Sequence, residues 1–152
     1  MRLLQILADS VVDGPGLRTV VFFAGCPHHC PGCHNPDSWL VEGGADYSVA
    51  EVVEQIHMLG SRRITISGGE PFLQRSALVE LIAALAGYEI YLFTGYTIEQ
   101  LLRQEQTQWI LSRIDCLIDG RYVRSLHDPS LSIRGSTNQR IILKNELRAF
   151  LS

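Results

Sequence analysis

The chain has 152 residues, 46% of them hydrophobic and 19% charged, with a formal net charge of −3. That is enough apolar material for one buried core over 1–152 as a single domain, and the charge leaves no electrostatic footprint for nucleic acid or an anionic membrane. No apolar stretch reaches the roughly 18 residues of a membrane helix, and the opening run is interrupted at Asp9, too early for a signal peptide. A cytoplasmic chain with reduced thiols is therefore expected.

Residues 1–16 end in Asp13-Gly14-Pro15-Gly16, a strong turn signal. Leu17 to Phe23 is β-branched and aromatic and reads as a buried strand. Gly25 then admits a bend into a loop holding Pro27, Pro31, Gly32 and Pro36. Ser48 and Glu51 form a capping-box pattern ahead of Val49, Val52, Val53, Ile56 and Leu59 at helical spacing, with Gly60 at the C-cap position. Arg63 to Ser67 is a short strand running into Gly68-Gly69-Glu70-Pro71, and Pro71 suits the first turn of the next helix. That helix carries Leu78, Leu81, Ile82 and Leu85 and ends by Gly87. Glu89 to Phe93 is a strand delivering Thr94-Gly95-Tyr96, and Thr97 with Gln100 caps another helix, with a further turn around Trp109 to Leu111. Ile114 to Ile118 is a strand ending in Asp119-Gly120-Arg121; Ile141 to Leu143 is a last strand before a short amphipathic tail.

Strand and helix alternate from residue 17 to residue 118, which predicts an α/β fold with a mostly parallel sheet and right-handed crossovers. Periodicity does not separate an open sheet from a partial barrel. The chemically unusual residues follow the carboxyl end of each strand: Cys26 to Cys33, Gly68 to Glu70, Thr94 to Tyr96 and Asp119 to Arg121. Parallel α/β proteins place their sites on that rim.

Cys26, Cys30 and Cys33 are three of the four cysteines and fall within eight residues, spaced C-x3-C-x2-C. Thiolates hold iron–sulfur clusters. Three of them on a 4Fe–4S cluster leave one iron without a protein ligand, a place for a substrate. The competing reading is structural zinc with His28, His29 or His34 as fourth ligand, but structural zinc prefers C-x2-C knuckles and a closed tetrahedron. Alone, Gly68-Gly69-Glu70-Pro71 reads best as a strand-to-helix turn; its glycines would equally let a ligand approach the backbone, with Glu70 facing an ammonium group. Asp119 is either a simple strand-end residue or a ribose ligand, with Arg121 pairing a carboxylate. Cys116 reads as core, His57 as a packed or half-exposed helix residue, and Trp39 and Trp109 as core or cover.

Over most of its length the chain resembles the radical S-adenosylmethionine activases of glycyl radical enzymes. The segments VDGPGLRTVVFFAGCPHHCPGCHNPDSW, SGGEP, TGYT and DGRYV carry the likeness. In DGRYV, in Asp128 to Leu131 and in Arg134 to Gln139, it is most similar to activases of the anaerobic (class III) ribonucleotide reductase. The resemblance implies a partial (β/α) barrel, a 4Fe–4S cluster on Cys26, Cys30 and Cys33, and S-adenosylmethionine on the open iron. Gly68, Gly69 and Glu70 would position its amine, and Asp119 and Arg121 its ribose and carboxylate. It implies a flavodoxin or ferredoxin as electron donor, and as partner the large subunit of that reductase, whose glycine would lose a hydrogen to a 5′-deoxyadenosyl radical. The alternatives are an activase of another glycyl radical enzyme, of the formate acetyltransferase type, and a non-catalytic iron–sulfur carrier. Two positions depart from the pattern: Gly32 stands where many radical S-adenosylmethionine proteins have an aromatic residue, and His34 where reductase activases commonly have Tyr.

Overall fold

A computed structural model describes residues 1–152. Its seven strands are β1 (Arg2–Ser10), β2 (Arg18–Phe23), β3 (Ala45–Asp46), β4 (Arg63–Gly68), β5 (Glu89–Phe93), β6 (Cys116–Asp119) and β7 (Arg140–Leu143). Its helices are α1 (Val49–Leu59), α2 (Arg75–Ala84), α3 (Ile98–Leu101), α4 (Thr107–Arg113) and α5 (Lys144–Leu151). The strands form one sheet in the order β3-β1-β2-β4-β5-β6-β7.

The four strands that alternate with helices, β2, β4, β5 and β6, are mutually parallel. The other three are antiparallel additions at the two sides. The fold is thus α/β with a parallel centre and antiparallel flanks. β1 had no strand signal beyond its apolar residues: polar Arg2, Gln5 and Asp9 break the run, and only Leu3 and Ser10 at its ends are buried. β7 turns back antiparallel: only a short 3-10 turn, Arg124–Leu126, lies between it and β6, and a parallel return needs a crossover such as an α-helix.

Local signals account for the helices. Ser48 Oγ accepts from the Glu51 amide at 3.1 Å while Glu51 accepts from the Ser48 amide at 2.7 Å, a reciprocal cap that starts α1. Gly60 ends it in the left-handed region, φ 83. Thr97 and Gln100 repeat the device ahead of α3. Pro71 opens a short 3-10 turn that runs into α2. A cluster of 22 buried apolar residues, including Phe23, Ile64, Ile66, Leu81, Leu92 and Leu117, joins sheet and helices. At the amino end of the parallel strands Arg18 is fully buried, donating to Thr65, Ile64 and Glu89 at 2.7–3.0 Å with its guanidinium 4.2 Å from the Tyr91 ring centre. This fixes the end opposite the cysteine loop. No helix is long and apolar enough to cross a membrane.

Candidate functional site

The cysteine loop leaves the carboxyl end of β2 and is stitched shut at its base. The Gly25 amide donates to Ser38 O at 2.7 Å and the Cys26 amide to Trp39 O at 3.1 Å. Cys26, Cys30 and Cys33 are all free and half-buried. The amide of Asn35 donates to Cys33 Sγ at 3.4 Å. Burial pushes the Cys26 thiol up, offset in part by the His28 and His29 amides directed at it. Backbone amides around half-buried sulfurs suit thiolate ligation, because hydrogen bonds to the sulfurs stabilise the anionic form. No three Cys, His, Asp or Glu side chains converge on one point where a single ion would sit. In a cubane each thiolate binds a different iron, so the donor set fits a cluster better than a mononuclear site.

The three loop histidines are engaged elsewhere. His28 Nε2 lies 2.7 Å from Glu70 Oε2. His29 stacks on Trp39, centroids 4.5 Å apart and planes 6° from parallel. His34 packs on Tyr122 at 5.1 Å and lies 6.0 Å from His127. Only His28 has a ring nitrogen committed to a partner; the aromatic contacts of the other two fix the orientation of their rings.

Gly68 and Gly69 bring β4 against the cysteine loop. A Cβ on Gly69 would stand 2.3 Å from Gly25 O. The backbone bonds across the gap, Gly69 N–H to Phe23 O and Glu70 N–H to Gly25 O, each at 2.8 Å. Glu70 is fully buried. Its carboxylate accepts from Phe72 N at 3.1 Å, Gly95 N at 2.7 Å and Thr94 Oγ1 at 2.9 Å, besides His28. Four donor groups occupy its lone pairs, so it knots together the loops after β2, β4 and β5. Tyr96 meets the His28 ring edge-on at 4.6 Å, and burial beside Glu70 pushes its hydroxyl up.

Past β6 lies a groove of about 510 Å³ lined only by polar residues and glycine, among them Gly95, Asp119, Gly120, Arg121, Asn138 and Arg140. Asp119 is 1% exposed; it accepts from Arg140 at 2.5 and 2.9 Å and from the Ile98 amide at 2.8 Å, capping α3. Arg140 also grips Glu99, at 2.7 and 3.0 Å. Arg121 is exposed at the groove and makes no ion pair. The rim therefore gathers Cys26 to Cys33, Glu70 and Thr94 to Tyr96 closely, with Asp119 and Arg121 beside Gly95 in the adjoining groove.

The family model described as a 4Fe-4S single cluster domain matches residues 12–142. The chain is 38% identical over 146 residues to the anaerobic ribonucleoside-triphosphate reductase-activating protein of Escherichia coli (strain K12), covering 89% of this chain and 94% of that one. Proteins of the same name match in Salmonella typhi, at 36% over 91% of this chain and 96% of that one, and in Enterobacteria phage T4, at 35% over 90% of each. The chain belongs to the anaerobic ribonucleoside-triphosphate reductase-activating protein family. Within this activating-protein chain, both departures from pattern are filled from the segment after β6. Arg124 Nε would be 2.6 Å from a Cβ on Gly32, so its guanidinium covers that position, and Tyr122 and His127 flank His34. Sequence reasoning passed over Arg140, which carried no motif, and weighed His28 as a fourth zinc ligand without naming Glu70 as its partner.

Proposed function

We propose that this chain generates the glycyl radical on the large subunit of anaerobic ribonucleoside-triphosphate reductase. The observation that carries the reading is the set of three unpaired thiols on one rim loop, within the residues 12–142 that match a 4Fe-4S single cluster domain. Cys26, Cys30 and Cys33 would each hold one iron of a 4Fe–4S cluster, leaving the fourth iron for S-adenosylmethionine. When bound, the pair supplies one-electron cleavage of the sulfonium and a 5′-deoxyadenosyl radical able to take hydrogen from a glycine of the partner.

The chain's own residues position and shield. Gly68 and Gly69 allow the close approach that sets the wall beside the cysteine loop, and Glu70 places an anionic group behind the site of the cofactor amine. Arg121 is the free cation for its carboxylate. Asp119 anchors Arg140 and α3 at the ribose side. Residues that held the sulfonium beside such a cluster would make electron transfer effectively intramolecular. All of 1–152 serves as one radical S-adenosylmethionine domain, its sheet curled as a partial barrel whose open side the partner's glycine loop closes. A flavodoxin or ferredoxin supplies the electron.

The test is anaerobic reconstitution, reduction and electron paramagnetic resonance with and without S-adenosylmethionine. A 4Fe–4S signal that changes on addition is expected, together with a glycyl radical signal when the reductase is added. An unchanged signal, or a colourless zinc protein, overturns the reading.

A further inference from the structure

We infer that His28 is a positioning residue: through Glu70 it ties the span between the first two cysteines to the end of β5 and so sets where those sulfurs stand. The inference rests on the reading that the cysteines hold a cluster. Backbone bonds join the cysteine loop to the loop after β4, at Gly69–Phe23 and Glu70–Gly25, but none joins it to the loop after β5. That connection is made by side chains. His28 donates to Glu70, and the same carboxylate accepts from Thr94 and Gly95.

The slot is shaped for the ring. The His28 side chain is 3% exposed and Glu70 wholly buried. A Cβ on Gly95 would stand 2.4 Å from the imidazole, so glycine there makes room for it. Tyr96 closes the remaining side edge-on. The adjacent His29 turns away in the left-handed region, φ 48, and lies flat on Trp39. Two consecutive side chains thus pull in different directions, one to the buried carboxylate and one to the loop base. The backbone between Cys26 and Cys30 is held at both points. Partners one step behind a metal's ligands orient those ligands.

The full chain, as purified and after anaerobic reconstitution, tests this in four forms: wild type, His28→Ala, His28→Gln and Thr94→Val. Hydrogen exchange of residues 26–34 is read before reconstitution, and the rate of iron loss to a chelator after it. His28→Ala is expected to exchange faster over that span and to lose iron faster, on the order of tenfold. His28→Gln, which keeps an N–H donor, restores most of both. Thr94→Val removes one of the two bonds at the β5 end of the tie while the Gly95 amide keeps the other, and is expected to fall between wild type and His28→Ala. His28→Ala behaving as wild type, His28→Gln matching His28→Ala, or Thr94→Val exceeding His28→Ala would each overturn the inference. If wild type takes up no cluster the functional reading fails, while the exchange measurement still decides whether His28 holds the loop.

Discussion

A Cβ placed on Gly68 would stand 2.3 Å from both the amide nitrogen and the carbonyl oxygen of Phe23. The glycine is demanded twice, because its φ of 108 also lies where side chains are strained. Gly60 shares a positive φ, 83, but has open space around it. Gly60→Ala should cost about 1 kcal/mol of backbone strain. Gly68→Ala adds overpacking against β2 and should cost roughly 3 kcal/mol or more. Urea unfolding of both variants checks this. Equal losses would mean that the contact with β2 is not what demands glycine at 68.

Glu99 is held by Arg140, which lowers its carboxyl from 4.5 to about 2. A depressed folded value means stability that is present above pH 4.5 and is lost as pH falls towards about 2. Both side chains are well exposed, at 52% and 42%, so solvent screening limits the gain to roughly 0.5–1 kcal/mol. Glu99→Gln should therefore be less stable than wild type by that amount at neutral pH, with the difference vanishing across that acid window. A difference that persists unchanged at the bottom of the window would place its source outside this ion pair.

Much of this architecture was legible. The capping pairs Ser48/Glu51 and Thr97/Gln100, the glycine at 60 and the four parallel strands all follow from local chemistry that tertiary contacts do not override. Placing Cys26 to Cys33, Glu70 and Asp119 on one rim needed only the rule that such strands end on the same side. The partners of those residues were not legible. His28 and Glu70 are 42 positions apart, and Asp119 and Arg140 are 21 apart across a segment without periodicity. Nothing in spacing says which donor satisfies a buried carboxylate. β1 was hidden for a different reason: with most of its length half-exposed, it has no need of the continuous apolar run that marks a central strand.

Cys116 offers a check on the division between ligand and core thiols. It is fully buried, and desolvation pushes its thiol up to about 12. The thiolate is the nucleophile, so Cys116 should stay unlabelled by iodoacetamide in the folded, cluster-free chain while the three loop cysteines react. Mass spectrometry should count three adducts before unfolding and four after. A fourth adduct at the rate of the others would mean that the β6 core opens readily.

Asp119 and Arg121 sit two residues apart on the same groove and should fail in opposite ways. Asp119 is buried and satisfies Arg140 and the first amide of α3, whereas Arg121 is exposed and has no ion-pair partner. Asp119→Asn keeps the shape but removes the charge from a charge-assisted pair, and should cost about 2 kcal/mol of stability. Arg121→Ala removes nothing the fold uses and should shift stability by less than about 0.5 kcal/mol. If Arg121 receives the cofactor carboxylate, losing that charged hydrogen bond weakens S-adenosylmethionine binding to the reconstituted protein on the order of tenfold or more. Calorimetric titration and urea unfolding of the two variants separate the roles. An Arg121→Ala protein that binds the cofactor as wild type would remove Arg121 from the site and leave the groove as scaffold alone.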